Sequence, residues 1–171
     1  MAERGSAIVL IGFMGAGKTT VGLELARLTH LPLYETDDAI AAEAGMSVED
    51  FLTSRGEGEF RDAESKALAG IPIEKSIVGT GGGIVVRPEN VAILERLGFV
   101  IYLEADEATL ARRLRDETKR RPLLQTGDFH ATLRSLLLER EPLYRAAADF
   151  TVNTSQLNPP ETAREIVRHV G

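Results

Sequence analysis

Two short stretches hold residue types whose spacing suits chemistry. GFMGAGKT, Gly12 to Thr19, matches G-x-x-x-x-G-K-[ST]. In that pattern glycines let the backbone approach an anion, and successive N–H groups at a helix N-terminus bind phosphate oxygens. Lys18 then suits the β- and γ-phosphates, and the Thr19 hydroxyl suits Mg²⁺. LYETDDAI, Leu33 to Ile40, places Glu35, Asp37 and Asp38 within four residues. Crowded carboxylates repel unless a cation or a donor-rich ligand relieves them. If the strand runs through residues 32–36, Glu35 and Asp37 share a face. Asp38 then points away, as a helix cap.

Both stretches must be positioned by elements readable from hydrophobic pattern. Residues 7–12, 32–36, 76–80, 99–105 and 149–154 read as strands. Helices are expected at 18–29, 38–45, 47–56, 57–70, 88–97, 107–115, 129–145 and 160–170, with 116–127 as a mobile loop. Five strands alternating with helices imply an α/β domain, a parallel sheet covered on both faces. Ligands of such sheets bind beyond the carboxyl ends of the strands. That lines up Gly12, Glu35, Asp37 and Gly81–Gly83 along one edge. One domain over 1–171 suits the length.

Composition narrows the class. The chain has 43% hydrophobic and 27% charged residues, and mean hydropathy is −0.07. There is no cysteine and three scattered histidines, so thiolate and zinc sites are not expected. The net charge of −6 disfavours nucleic acid. No apolar run reaches the length of a signal or membrane segment, so a cytoplasmic chain is expected. Charge is uneven: residues 35–64 hold ten acidic and two basic side chains, whereas RRLRDETKRR (112–121) holds six basic and two acidic ones. Arg112, Arg115 and Lys119 are expected to face solvent. A guanine motif NKxD and a long apolar strand ending in D-E are both missing. A small-molecule kinase is therefore the favoured class.

In order along nearly the whole chain stand GFMGAGKT, ETD, GEGEFRDAE (56–64), TGGG (80–83), RRPLL (120–124) and REPLY (140–144). Together they resemble the shikimate kinase family. The resemblance implies a P-loop fold of the nucleoside monophosphate kinase type with a mobile lid at 116–127. It implies a substrate-binding segment at about 35–64 and ATP-dependent phosphorylation of the shikimate 3-hydroxyl, a step toward chorismate and the aromatic amino acids. ATP, Mg²⁺ and shikimate would be the partners of a monomer. Asp37 would bind the acceptor hydroxyls and serve as base, with Lys18 and Arg121 as the other catalytic groups. Arg61 and Arg140 would hold the substrate carboxylate beside Gly81, Gly82 and Gly83. ATP would be held by Gly12, Gly15, Ala16, Gly17, Lys18, Thr19, Thr20, Arg113 and Arg121, with Gln156 from the adenine-loop-like NTSQLNP (153–159). Thr19 and Glu35 would face the metal.

The residues agree on independent grounds. A small anionic polyol calls for arginines on its carboxylate and a carboxylate acceptor for its hydroxyls. Arg61 could instead pair within its helix with Glu57 or Glu64. Arg140 could be a cation at a helix end. Glu35 departs from the family, whose pair usually begins with the shorter Asp. A kinase of another small hydroxy acid such as gluconate, or a kinase-like ligand-sensing module with little catalysis, stays open at this point.

Overall fold

A computed structural model describes residues 3–115, 124 and 127–171. At its centre lies β1 (Ala7–Ile11), AIVLI, buried throughout. Such an unbroken apolar run marks a strand covered on both faces. It pairs in parallel with β3 (Ile77–Gly79) and β4 (Gly98–Glu104). The edges are β2 (Leu33–Glu35) and β5 (Phe150–Asn153), in the order β2-β3-β1-β4-β5. The expected five-stranded parallel sheet is therefore present.

Helices α1 (Lys18–Thr29), α2 (Thr36–Ala44), α3 (Val48–Ala69), α4 (Pro88–Leu97), α5 (Glu107–Leu114), α6 (Phe129–Ala147) and α7 (Pro159–Val170) connect or flank the strands. A 3-10 turn at Ile84–Val86 follows the glycine run. Local signals set several ends. Gly45 caps α2 in the left-handed region. Ser47 accepts from the Asp50 N–H to open α3. Gly56 interrupts α3 with non-helical angles, φ 84° and ψ 172°, so the two expected helices are present and meet at a kink.

Three sequence expectations change. Strand β2 ends at Glu35, and Asp37 and Asp38 lie in the first turn of α2. The shared strand face of Glu35 and Asp37 is thus lost, and Asp38 is no cap. Carboxylates there are favoured instead by the unpaired N–H groups and positive end of the helix. Arg140 is not at a helix end, because α6 runs through Pro142 to Ala147. Its buried positions, Leu133, Leu137, Arg140, Tyr144 and Ala147, recur every three or four residues and continue past the proline. Packing of that stripe holds the helix together despite the missing N–H.

The main core gathers β1, β4 and the inner faces of the helices around Leu10, Ile101 and Tyr102. Ile40, Phe51 and Phe60 form a separate small cluster beneath α2 and α3, with the two phenyl rings edge to face at 5.9 Å. Among the described residues, no helix is long and apolar enough to cross a membrane.

Candidate active site

The carboxyl ends of β1, β2, β3 and β5 open onto a cleft of about 940 Å³. Its phosphate-loop wall comprises Met14 to Val21. Opposite stand Glu35, Asp37 and Asp38, and Thr80, Gly81 and Gly82 also line it. The loop turns through Gly15 and Gly17 at φ 82° and 98°. These left-handed values strain any residue with a Cβ. Gly17 ends the loop as the N-cap of α1, so the N-terminal N–H groups of that helix face the cleft.

Lys18 folds back over the loop and donates to the carbonyls of Gly12 and Phe13 at 2.6 and 3.0 Å. Arg113 of α5 donates to Gly15 O (3.1 Å), Ala16 O (3.3 Å) and Thr154 O (2.9 Å). It thereby ties the loop to the end of β5. Burial, with Arg112 nearby, shifts its guanidinium downward. Thr19 and Thr20 are exposed on the cleft wall, while Gly12 is buried beneath the loop. Gln156 is exposed and does not line the cleft, although its neighbours Leu157 and Pro159 do. Arg121 and nearly all of the expected lid lie outside the described residues.

Beside the cleft, two arginines from different helices meet the triple glycine. A Cβ on Gly83 would lie 2.2 Å from an Arg61 terminal nitrogen, and one on Gly82 would lie 3.6 Å from an Arg140 nitrogen. Both arginines are buried, at 8% and 3% exposure. They are not equivalent. Arg61 pairs with Glu64 at 2.9 Å and with Glu57 at 3.3 Å, so both intrahelical partners raised by its spacing are present. Its Nε has no hydrogen-bond partner among the described residues. Arg140 makes no ion pair among those residues and lies over the Phe13 ring at 6.0 Å.

Tyr144 was not singled out in the sequence, and Glu64 was named there only as an alternative helix partner of Arg61. Glu64 is fully buried, and desolvation raises its carboxyl while Arg61 opposes the shift. One oxygen pairs with Arg61; the other has no partner among the described residues and faces Gly81, where a Cβ would come within 2.6 Å. The signal was its spacing between Phe60 and Leu68, which puts a carboxylate in an apolar stripe. Tyr144 donates to the Gly82 carbonyl and stacks on Tyr102 at 5.1 Å, and burial pushes its phenol upward. The tyrosine thus braces the glycine turn from below.

Glu35 is half-buried, and its carboxyl is pushed up to about 7 by desolvation and by the charges of Asp38 and Asp37, with Lys18 opposing. Its Oε1 finds no hydrogen-bond partner among the described residues. An orphaned carboxylate and the Thr19 hydroxyl in one cleft are hard oxygen donors, the set that suits Mg²⁺. No cluster of three or more His, Cys, Asp or Glu occurs among the described residues. The residues therefore fit an ion held by one carboxylate, a hydroxyl, phosphate and water, as Mg²⁺ commonly is.

Comparison with known proteins identifies the family. The shikimate kinase family model matches residues 14–171. A shikimate kinase of Thioalkalivibrio sulfidiphilus is 41% identical over 165 residues, covering 96% of this chain and 86% of that protein. One from Caldanaerobacter subterraneus is 40% identical, covering 94% of each. The solved shikimate kinase of Acinetobacter baumannii, in complex with shikimate, superposes with a TM-score of 0.90 at 34% identity. That superposition covers 99% of this chain and 94% of the other. With a family model spanning nearly the full length and relatives of this identity, the chain belongs to the shikimate kinase family.

Proposed function

We propose that the chain transfers the γ-phosphoryl group of ATP to the 3-hydroxyl of shikimate, yielding shikimate 3-phosphate and ADP. The observation that carries the acceptor side is Arg140, a buried cation without an ion pair among the described residues, set against a glycine turn. Burying an uncompensated charge is costly, and a ligand carboxylate between Arg140 and Arg61 would offset the cost. Planar guanidinium groups bind carboxylates through paired hydrogen bonds.

The rest of the cleft supports the donor side. Lys18 would exchange the Gly12 and Phe13 carbonyls for phosphate oxygens, a short swing for a flexible side chain. The loop N–H groups would hold the β-phosphate. Arg113, already attached to the loop and to Thr154, would border the nucleotide. Asp37 in the first turn of α2 would accept the hydroxyl proton as the phosphoryl group moves. Glu64 would hold Arg61 at the acceptor carboxylate. Thr19 and Glu35 would hold Mg²⁺, which when bound supplies positive charge to the transferring phosphates. Such transfer depends on positioning and charge neutralisation more than on covalent catalysis.

The test is ADP release by purified protein with ATP and either shikimate or gluconate, with Lys18→Ala as control. Release with shikimate that disappears in Lys18→Ala is expected. Release with gluconate alone overturns the substrate, and no release with either overturns the activity.

A further inference from the structure

Strand register sets Glu35 of β2 directly opposite Gly79 of β3. Paired residues on neighbouring strands project from the same face of a sheet, so the Glu35 side chain rises beside a position with none. The carboxylate occupies that position. A Cβ on Gly79 would lie 2.2 Å from Glu35 Oε2, 2.5 Å from Cδ and 2.7 Å from Oε1. On the α1 side the neighbour is also a glycine: a Cβ on Gly22 would lie 3.7 Å from Oε1. The group is thus seated between two residues without side chains. Gly79 has no left-handed backbone angle that would call for glycine. It sits in a buried strand, where glycine weakens the sheet and commonly marks a close approach. What requires glycine at 79 is the carboxylate itself.

We propose that Gly79 is a positioning residue for the metal side of the phosphoryl-transfer site. Its missing side chain is the seat that holds the Glu35 carboxylate beside the phosphate loop, so residues 35 and 79 act as one unit. The proposal rests on the reading of Glu35 as metal-facing. A methyl group at 79 meets the far end of a flexible side chain, so the strand stays and the carboxylate is displaced. An aspartate at 35 is one methylene shorter and clears that methyl.

The experiment measures Mn²⁺ affinity in the presence of ADP, by electron paramagnetic resonance, for wild type, Glu35→Ala, Glu35→Asp, Gly79→Ala and Gly79→Ala/Glu35→Asp. Gly79→Ala is expected to lose about tenfold or more, the usual effect of disturbing a group that orients a ligand. Far-ultraviolet circular dichroism should be unchanged, and the double variant should recover most of the affinity. A Gly79→Ala protein with wild-type affinity, or an equal loss in both backgrounds at 35, overturns the seat. Wild-type affinity in Glu35→Ala overturns the metal-facing reading beneath it, a different failure. If Gly79→Ala does not fold alone, its recovery in the Glu35→Ala background supports the seat. Persistent misfolding there overturns it, because the need for glycine then lies elsewhere.

Discussion

Arg61→Met should cost the protein far more stability than Arg140→Met, although both are buried arginines beside one glycine turn. Arg61 neutralises Glu64, a carboxylate with no exposure to water. Removing one partner of a buried pair costs about 3–5 kcal/mol, because the other charge is left uncompensated. At this chain length each kcal/mol shifts the melting temperature by roughly 2–4 °C, so a fall of roughly 6–20 °C is expected. Arg140 makes no ion pair among the described residues and acts on Glu64 more weakly than Arg61 does, so Arg140→Met should cost apo stability much less. The Glu64 carboxyl is already raised by burial, and losing Arg61 raises it further. An acid with a raised folded pKa destabilises the fold fully above that pKa, and the effect vanishes below the unfolded value. The Arg61→Met penalty should therefore shrink from pH 8 toward pH 5, and Arg61→Met/Glu64→Gln should recover most of it. Urea unfolding at both pH values reads the stabilities, and calorimetry reads shikimate affinity. Both single variants should weaken shikimate by roughly 10–150-fold, the equivalent of about 1.5–3 kcal/mol for a lost charged hydrogen bond. Equal stability losses in the two variants, or a double variant no better than Arg61→Met, would refute the assignment of Glu64 as the partner.

Other expectations follow from the same geometry. Asp37→Asn keeps the shape at the first turn of α2 but removes the base. Turnover should fall by about 10²–10⁴ while ATP affinity in equilibrium binding stays within a few-fold; unchanged turnover removes Asp37 from the proton transfer. Glu35 must ionise in a desolvated place, with its carboxyl pushed up to about 7 from 4.5. Apo stability should therefore carry a penalty that is absent near pH 4.5, grows as pH rises and is complete above 7. Glu35→Gln should match wild type near pH 4.5 and exceed it at pH 8 in urea midpoints, and a gap independent of pH would contradict this cause.

By itself the sequence determined the elements whose signals are local. The phosphate loop was legible because strand, glycines, lysine and helix are consecutive, and α1 runs from Lys18 to Thr29 as its apolar spacing implies. The parallel sheet followed from alternation, and family membership from motif order. What tertiary structure decided lies between elements far apart in the chain. In the sequence Glu64 is one of ten acids in an acidic stretch, with Arg61 three residues before it; only the fold sets its carboxylate against Gly81 and buries the pair. Arg140 is expected from the sequence at the substrate carboxylate, with a helix-end cation as the alternative; the stripe that continues through α6 to Ala147 buries the arginine and removes that alternative. Gly79 closes an ordinary short strand, and register alone sets the Glu35 carboxylate upon it. Local periodicity dictates which face a residue occupies, but the group across from it is set by chain crossing and sheet order, which no window of neighbouring residues contains.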